Sequence, residues 1–295
     1  MPVTRPPRTR RGSTLTSSAG AVGYSHDGER KWSVRLGNRA NLHGYGSAAS
    51  PLLYENLFIV NAFIETAEAF RQGETVALDT RTGKEVWREK VGGEWCSPQL
   101  VTVGGKTELV TATFRGPWLG LDAATGKRLW ACEANNYCST PVTHEGIIYI
   151  LSNEGKCAIR AGGRGDVTAT HTLWQALGGP RISSPVYHDG HLYWSNDGHI
   201  AQCIDARTGK SVYRERLGEG GDCFASPVLA DGRIYYVSRE NGVYVVAAKP
   251  KFELLAHNMI EDDESVFNGS PAVSGRCIFL RSDKYLFCIG KRGTE

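Results

Sequence analysis

The sequence predicts an all-β fold, a β-propeller of four-stranded antiparallel blades, and three observations carry the prediction. A tail recurs: Leu78-Asp79-Thr80-Arg81-Thr82-Gly83-Lys84-Glu85-Val86-Trp87, then Leu121-Asp122-Ala123-Ala124-Thr125-Gly126-Lys127-Arg128-Leu129-Trp130, then Ile204-Asp205-Ala206-Arg207-Thr208-Gly209-Lys210-Ser211-Val212-Tyr213. A Ser/Thr-Pro pair opens an apolar strand at Pro51, Pro98, Pro141, Pro185, Pro227 and Pro271, at intervals of forty-odd residues. Between these markers lie several short alternating segments and no amphipathic helical stretch, the pattern of a propeller blade. The Gly and β-branched content excludes helical repeats of similar length.

Four strands are legible within one repeat. Ser184-Pro185-Val186-Tyr187 opens the first, His188-Asp189-Gly190-His191 forms a hairpin turn, and Leu192-Tyr193-Trp194-Ser195 returns to the Asn196-Asp197-Gly198 turn. Asp-Gly between apolar runs is a strong hairpin signal. Ile200 to Asp205 makes the third strand, and a last strand containing Tyr213 follows the Thr208-Gly209-Lys210 turn. Glycine stands four residues before the aromatic at Gly28 and Trp32, Gly83 and Trp87, Gly126 and Trp130, and Gly209 and Tyr213. That spacing reads as one unit, with the glycine supplying positive φ and the ring beside it.

These tails resemble the PQQ-like, quinoprotein-type β-propeller repeat, the family that includes the BamB-like outer-membrane assembly factor. The resemblance covers nearly everything from about Ala19 to Lys291. It implies that Trp32, Trp87, Trp130, Trp174 and Tyr213 dock between neighbouring blades. Three departures imply looser docking. The third repeat runs through Ile159-Arg160-Ala161-Gly162-Gly163-Arg164-Gly165-Asp166 and reaches Trp174 late, the fourth carries Tyr213, and the fifth ends in Ala247-Ala248-Lys249-Pro250-Lys251-Phe252.

About six repeats are present. The last stops after its third strand, Leu286-Phe287-Cys288-Ile289, while Trp32-Ser33-Val34-Arg35-Leu36 has no Ser-Pro strand before it. Closing the ring by lending the N-terminal strand to the C-terminal blade removes both edges. Ala21-Val22-Gly23-Tyr24 and the Asp27-Gly28 turn look like a further strand, which suggests instead a seven- or eight-bladed propeller shortened at its N-terminus. The expected organisation is a disordered basic segment over 1–15 and a single propeller domain over 16–291.

At 41% hydrophobic and 22% charged, 295 residues can bury one large core. A net charge of +3 is too small to imply a nucleic-acid partner, and much of the excess sits in Arg5, Arg8, Arg10 and Arg11 of a Pro-rich start. Arg10-Arg11 is not followed by the apolar core of a signal peptide, and no transmembrane segment is legible. A periplasmic or extracellular location is therefore what the resemblance implies, without a recognisable signal peptide. A monomer is expected.

Eight cysteines are even in number, but their placement does not suggest a disulfide framework. Cys157, Cys203 and Cys288 occupy similar third-strand positions and read as small buried hydrophobes. Cys96, Cys138 and Cys223 fall just before the Ser/Thr-Pro markers, without the close pairing of a thiolate metal site. His188, His191 and His199 could share an ion, yet their spacing suits turn residues, so no metal site is assigned. Arg164-Gly165-Asp166 reads as a structural turn, and Glu261-Asp262-Asp263-Glu264 lacks calcium-loop spacing. No nucleophile elbow, HExxH motif or paired-carboxylate signature is present, and no catalytic residue is assigned.

In a propeller the loops entering the innermost strands face the mouth of the axial channel. Here they carry His43 and Tyr45, Glu94 and Trp95, Asn136 and Tyr137, Arg181, Asp222 and Phe224, and Asn268 after Phe267. Rings interleaved with polar groups suit a planar ligand or a peptide; equally, they suit a plug of the axial hole. Arg181 would anchor an anion. The function expected is a non-catalytic binding scaffold for a protein or small-molecule partner. The alternative, implied by the resemblance, is a PQQ-dependent quinoprotein dehydrogenase oxidising an alcohol or sugar with PQQ and calcium. Enzymes of that kind carry adjacent cysteines, and this sequence has no Cys-Cys pair.

Overall fold

The computed structural model describes residues 8–9, 12–17, 20–36, 49–63, 73–92, 95–112, 116–135, 138–219, 221–261 and 263–290. Contacts divide the chain into two compact units, Met1–Ile150 with Ile159–Leu173, and Leu151–Ala158 with Trp174–Glu295.

The first unit opens with a sheet of β1 (Arg8–Thr9), β2 (Gly12–Ser17), β3 (Gly20–Tyr24) and β4 (Arg30–Arg35). A second sheet follows: β5 (Leu52–Tyr54), β6 (Leu57–Phe63), β7 (Gly73–Asp79) and β8 (Glu85–Glu89). The third is β9 (Gln99–Val103), β10 (Lys106–Ala112), β11 (Trp118–Asp122) and β12 (Arg128–Cys132). Strands of the fourth sheet, β13 (Val142–His144), β14 (Ile147–Ser152), β15 (Gly155–Arg160) and β17 (Thr172–Ala176), are shared between the units. Between β15 and β17 the chain inserts β16 (Gly165–Asp166), parallel to β12, and a one-turn helix α1 (Thr168–His171).

Three sheets lie in the second unit. They are β18 (Val186–His188), β19 (His191–Ser195), β20 (Ile200–Asp205) and β21 (Ser211–Arg216); β22 (Val228–Ala230), β23 (Arg233–Val237), β24 (Val243–Ala247) and β25 (Leu254–Asn258); and β26 (Ala272–Ser274), β27 (Cys277–Arg281) and β28 (Leu286–Gly290). Apart from β16, which adds to the third sheet alongside β12, the strands of each sheet form an antiparallel meander in chain order, so each repeat in the sequence makes one sheet.

The N-terminus departs from expectation. Strand β4, with Trp32, pairs with β3 and so belongs to a sheet of its own rather than completing the C-terminal one, which has three strands among the described residues. Within and just beyond the 1–15 segment, Arg8–Thr9 and Gly12–Ser17 form β1 and β2, because Ser13 to Ser17 pairs with the alternating strand Gly20 to Tyr24. Seven sheets are thus formed by the described residues.

The tails are held by one repeated turn. Asp79 Oδ1 accepts hydrogen bonds from the Thr82 amide at 2.8 Å and the Thr82 hydroxyl at 2.7 Å. Asp122 does the same with Thr125, at 2.9 and 2.8 Å, and Asp205 with Thr208, at 2.8 and 2.7 Å. The next residue must swing to positive φ, and glycine supplies it: φ is 70° at Gly83, 73° at Gly126 and 70° at Gly209. The Thr82 hydroxyl holds the Asp79 carboxyl below its ordinary value, and the Thr208 hydroxyl does so for Asp205.

The glycine and the aromatic of one tail are not one packing unit. A Cβ on Gly83 would stand 2.7 Å from the Trp32 ring, which comes from the preceding sheet, and a Cβ on Gly126 would stand 2.6 Å from Trp87. Gly209 meets Trp174 in the same way, whereas nothing lies within 4 Å of a Cβ on Gly28. Each ring therefore seats on the turn of the next repeat. Trp32 Nε1 donates to the Thr80 carbonyl at 3.0 Å and Trp174 Nε1 to the Ala206 carbonyl at 2.9 Å, the residue after the turn aspartate in both cases.

Trp130 is the exception. The inserted third repeat offers no such turn, and Trp130 Nε1 donates instead to Glu108 Oε2 at 2.7 Å. The carboxylate is buried and also accepts from the Gly162 amide at 3.1 Å and from Arg164 at 3.2 Å. Asp166 caps the turn into α1 by accepting from the Thr168 amide and hydroxyl. Arg164 and Asp166 are thus committed to structure. Tyr213 takes the tryptophan position of its sheet and meets Phe252 edge to face at 5.7 Å.

The Ser/Thr-Pro marker has an equally local cause. The Ser50 amide donates to Ser97 Oγ at 2.7 Å, and the Ser97 amide to Thr140 Oγ at 3.1 Å. In the second unit the Ser184 amide donates to Ser226 Oγ at 2.8 Å, and the Ser226 amide to Ser270 Oγ at 3.0 Å. A hydroxyl before the proline therefore satisfies the inner edge of the preceding sheet, a donor that no strand pairs with.

Candidate functional site

In the second unit the loops before β18, β22 and β26 come together with two further turns. In a meander, the loop into the first strand and the turn between the second and third strands lie at the same end of the sheet. That geometry brings Asp197 of the β19–β20 turn and Arg239 of the β23–β24 turn beside Arg181, Asp222, Phe224 and Asn268.

Arg239 is fixed at the centre. Its amide donates to the Asp222 carbonyl at 2.9 Å, and its carbonyl accepts from the Phe267 amide at 2.9 Å, so its backbone ties together the loops before β22 and β26. Its guanidinium lies 4.6 Å from the centroid of the Phe224 ring, and Nε donates to Asn268 Oδ1 at 2.9 Å. Arg181 stands over the same ring at 6.0 Å and pairs with Asp197 at 2.5 Å. Two cations at one aromatic ring draw on its quadrupole and on nearby carboxylates.

Beside this group opens a cavity of about 320 Å³, lined by Asp197, Gly198, His199, Arg216, Gly221, Asp222, Arg239 and Glu240. Its electrostatics are mixed. Burial, together with the nearby Asp222 charge, pushes the Asp197 carboxyl up, against the pull of Arg181. His199 is buried, at 1% exposure, at a backbone φ of 62°. Neither of its ring nitrogens makes a hydrogen bond among the described residues. Burial pushes His199 down, with Arg216 and His257 adding to the effect and the Asp222 carboxylate opposing it. The ring therefore stays neutral near pH 7, edge-on to Tyr244 at 4.8 Å. Tyr244 in turn stacks on His257 at 4.1 Å.

Of the residues expected at the channel mouth, Arg181, Asp222, Phe224 and Asn268 lie in this one group. Trp95 is half-buried in the other unit. His43, Tyr45, Glu94, Asn136 and Tyr137 lie outside the described residues. Arg239, Asp197 and His199 were not expected at the rim. The signal was present in the alternation of strands and turns, which places every second-to-third-strand turn beside the loop that enters its sheet.

The three histidines of the fourth repeat do not converge. His191 Nδ1 contacts the Asp189 carbonyl at 2.7 Å and His188 faces the Asp189 carboxylate at 3.4 Å, both on the exposed hairpin, whereas His199 is buried at the rim. Among the described residues no group of three His, Cys, Asp or Glu side chains comes together as a metal site would require. Cys96 and Cys223 are buried thiols, the latter pushed up to about 12 by burial. Cys157 and Cys203 are buried as expected of small hydrophobes, but Cys288 is exposed, because β28 is the outermost strand of its sheet among the described residues.

The repeat pattern and the sheet geometry agree with a comparison across families. The family model described as outer membrane protein assembly factor BamB matches residues 4–91 and 163–250, more than half of the chain. The chain belongs to that family. Its sheets are accordingly the blades of a PQQ-like β-propeller. BamB from Moraxella catarrhalis is similar in structure at a TM-score of 0.73 and 13% identity, over 96% of this chain and 83% of that one. The C-terminal WD40 domain of Sif2 is similar at 0.70 and 10% identity, over 99% of this chain and 82% of that one. A europium-containing methanol dehydrogenase is similar at 0.50 and 13% identity, over 70% of this chain and 50% of that one. At such identities these likenesses show the fold. No curated protein matches the chain in sequence. No helix among the described residues is long and apolar enough to cross a membrane.

Proposed function

We propose that this BamB-family propeller is a non-catalytic binding scaffold, and that its partner is a protein segment docking on the rim around Phe224 and Arg239. The observation that carries the reading is the shared ring: Arg181 and Arg239 both stand over Phe224, with Asp197, Asp222 and Glu240 close by. Arginine and aromatic side chains dominate the energetics of protein interfaces, and Arg239 is already held by its backbone and by Asn268, so little is lost in ordering it. The mixed charges select a partner by complementarity. The cavity of about 320 Å³ also suits a small molecule at the lower end of ligand-site volumes. The family description supports an exported protein at the outer membrane. A monomeric propeller without nucleic-acid affinity completes the reading, in keeping with the net charge of +3.

Affinity capture from native membranes after mild cross-linking tests it. A protein retained by the wild type and lost with both Phe224→Ala and Arg239→Ala, at unchanged thermal stability, supports the rim. Retention of the same proteins by both variants overturns it.

The alternative, a quinoprotein dehydrogenase using PQQ and calcium, draws on the likeness to the methanol dehydrogenase. The sequence carries no Cys-Cys pair, which enzymes of that kind have, and no step is assigned to it.

A further inference from the structure

Among the described residues, the C-terminal blade is the one whose outer strand both carries a thiol and has a single hydrogen-bonded neighbour. Strand β28 pairs with β27 alone among the described residues, and its Leu286 and Ile289 are exposed. The register sets Cys277 opposite Gly290 and Phe279 opposite Cys288. Side chains directly opposite share a face of the sheet, so Cys277 and Cys288 lie on one face as diagonal neighbours. Gly290 keeps that face open: a Cβ there would stand 2.7 Å from Cys277 Sγ. Cys288 is exposed and Cys277 half-buried, both as thiols. The hydrogen bond with Cys277 is the largest influence on Cys288, and it pushes that thiol up.

We infer that Cys277 and Cys288 are a redox modification site, converted by a disulfide-bearing oxidant into a cross-strand disulfide that locks β28 onto β27. The chemistry balances as thiol–disulfide exchange. The exposed Cys288 thiolate attacks one sulfur of a small disulfide such as oxidised glutathione, forming a mixed disulfide and releasing one glutathione thiolate. The Cys277 thiolate then attacks Cys288 Sγ and expels the second. Two protein thiols are oxidised to one disulfide, one glutathione disulfide is reduced to two thiols, and the two protons lost by the cysteines are taken up by the leaving thiolates. Because the Cys288 thiol is pushed up, the first step is slow at neutral pH and quickens as pH rises.

Diagonal neighbours sit about 7–8 Å apart at Cα, beyond the ~4.4–6.8 Å usual for a disulfide, so closure requires β28 to shift along β27. An edge strand held on one side can make that shift, whereas a central strand cannot. The same strain makes the bond readily reversible. Of the other cysteines, Cys96, Cys132, Cys157, Cys203 and Cys223 are buried, and Cys138 is half-buried in the loop before β13.

The full native chain, incubated with oxidised glutathione near pH 8, quenched by alkylation under denaturing conditions and digested with trypsin, tests the inference. Cleavage after Arg276, Arg281, Lys284 and Lys291 releases residues 277–281 and 285–291 as separate peptides, each with one cysteine. The expected result is a disulfide-linked pair of these peptides, a rise of a few degrees in melting temperature and slower hydrogen exchange in β28, all reversed by dithiothreitol. Cys288→Ser removes all three effects, and Cys277→Ser leaves only a glutathione adduct on Cys288. An adduct on wild-type Cys288 without the linked pair, or a linked pair that forms only in urea, overturns it.

Discussion

The indole N–H of Trp32 reaches across from one blade to the carbonyl of Thr80 in the next, at 3.0 Å, and its ring covers Gly83, the residue immediately after the Asp-Thr turn. The contact joins the two halves of the recurring tail in adjacent repeats. An aspartate-threonine turn creates a site where only glycine fits, and the neighbouring tryptophan fills it. Trp87 and Trp174 fill the corresponding sites at Gly126 and Gly209.

Two glycines of similar backbone conformation separate the cost of strain from the cost of lost docking. Gly28 has a φ of 84° and open space, so Gly28→Ala is expected to cost about 1 kcal/mol. Gly83 has a φ of 70°, and the added methyl meets the Trp32 ring, so Gly83→Ala is expected to cost a further ~1–3 kcal/mol. Urea unfolding of the two variants measures the difference; equal losses would remove the docking contact from the account.

Trp130 is held by a side chain rather than by a carbonyl. Trp130→Ala is expected to destabilise the protein by about 3–5 kcal/mol. Glu108→Ala leaves the Trp130 indole N–H and the Gly162 amide unpaired in a buried place and is expected to cost about 2–4 kcal/mol. The double variant should lose less than the sum of the two, because both share one contact. Denaturant titration of the cycle checks this, and strict additivity would show that the two side chains do not act together.

How much of this was legible in the sequence differs from place to place. The tails and Ser/Thr-Pro markers are readable because turn and inter-blade contacts demand particular residues: an Asp-Thr pair to close the turn, glycine at positive φ, and a hydroxyl to meet the preceding blade at Ser97 and Ser226. The blade formed by β1 to β4 carries no marker before it, and its two outer strands lie in an Arg- and Pro-rich segment, so its identity depends on pairing with Gly20 to Tyr24. Glu108 looks like an ordinary charged residue in a strand, and only the missing turn of the next repeat makes it the partner of Trp130. At the rim, Arg181, Asp222, Phe224 and Asn268 follow from loop position, whereas Arg239 follows only once the far turn of the blade is placed at the same end.

Acid should act in two steps. His199 is held below its ordinary value of 6.5, so the unfolded chain takes up a proton first and stability begins to fall as pH drops below about 6.5. Asp79 and Asp205 are held below 3.8, so the stability that they contribute is complete above that value and is lost as pH falls below it. Melting temperature followed from pH 8 to pH 2 checks the order. His199→Phe should remove the upper step and leave the lower one; an unchanged upper step would assign it to another group.

The most direct test of the central claim, a binding scaffold and not a quinoprotein enzyme, is equilibrium dialysis of the purified chain against PQQ, with and without calcium, followed by dye-linked oxidation of alcohols and sugars. The account predicts no retained quinone at tens of micromolar and no dye reduction above the protein-free control. Calcium-dependent retention of PQQ accompanied by turnover would contradict it.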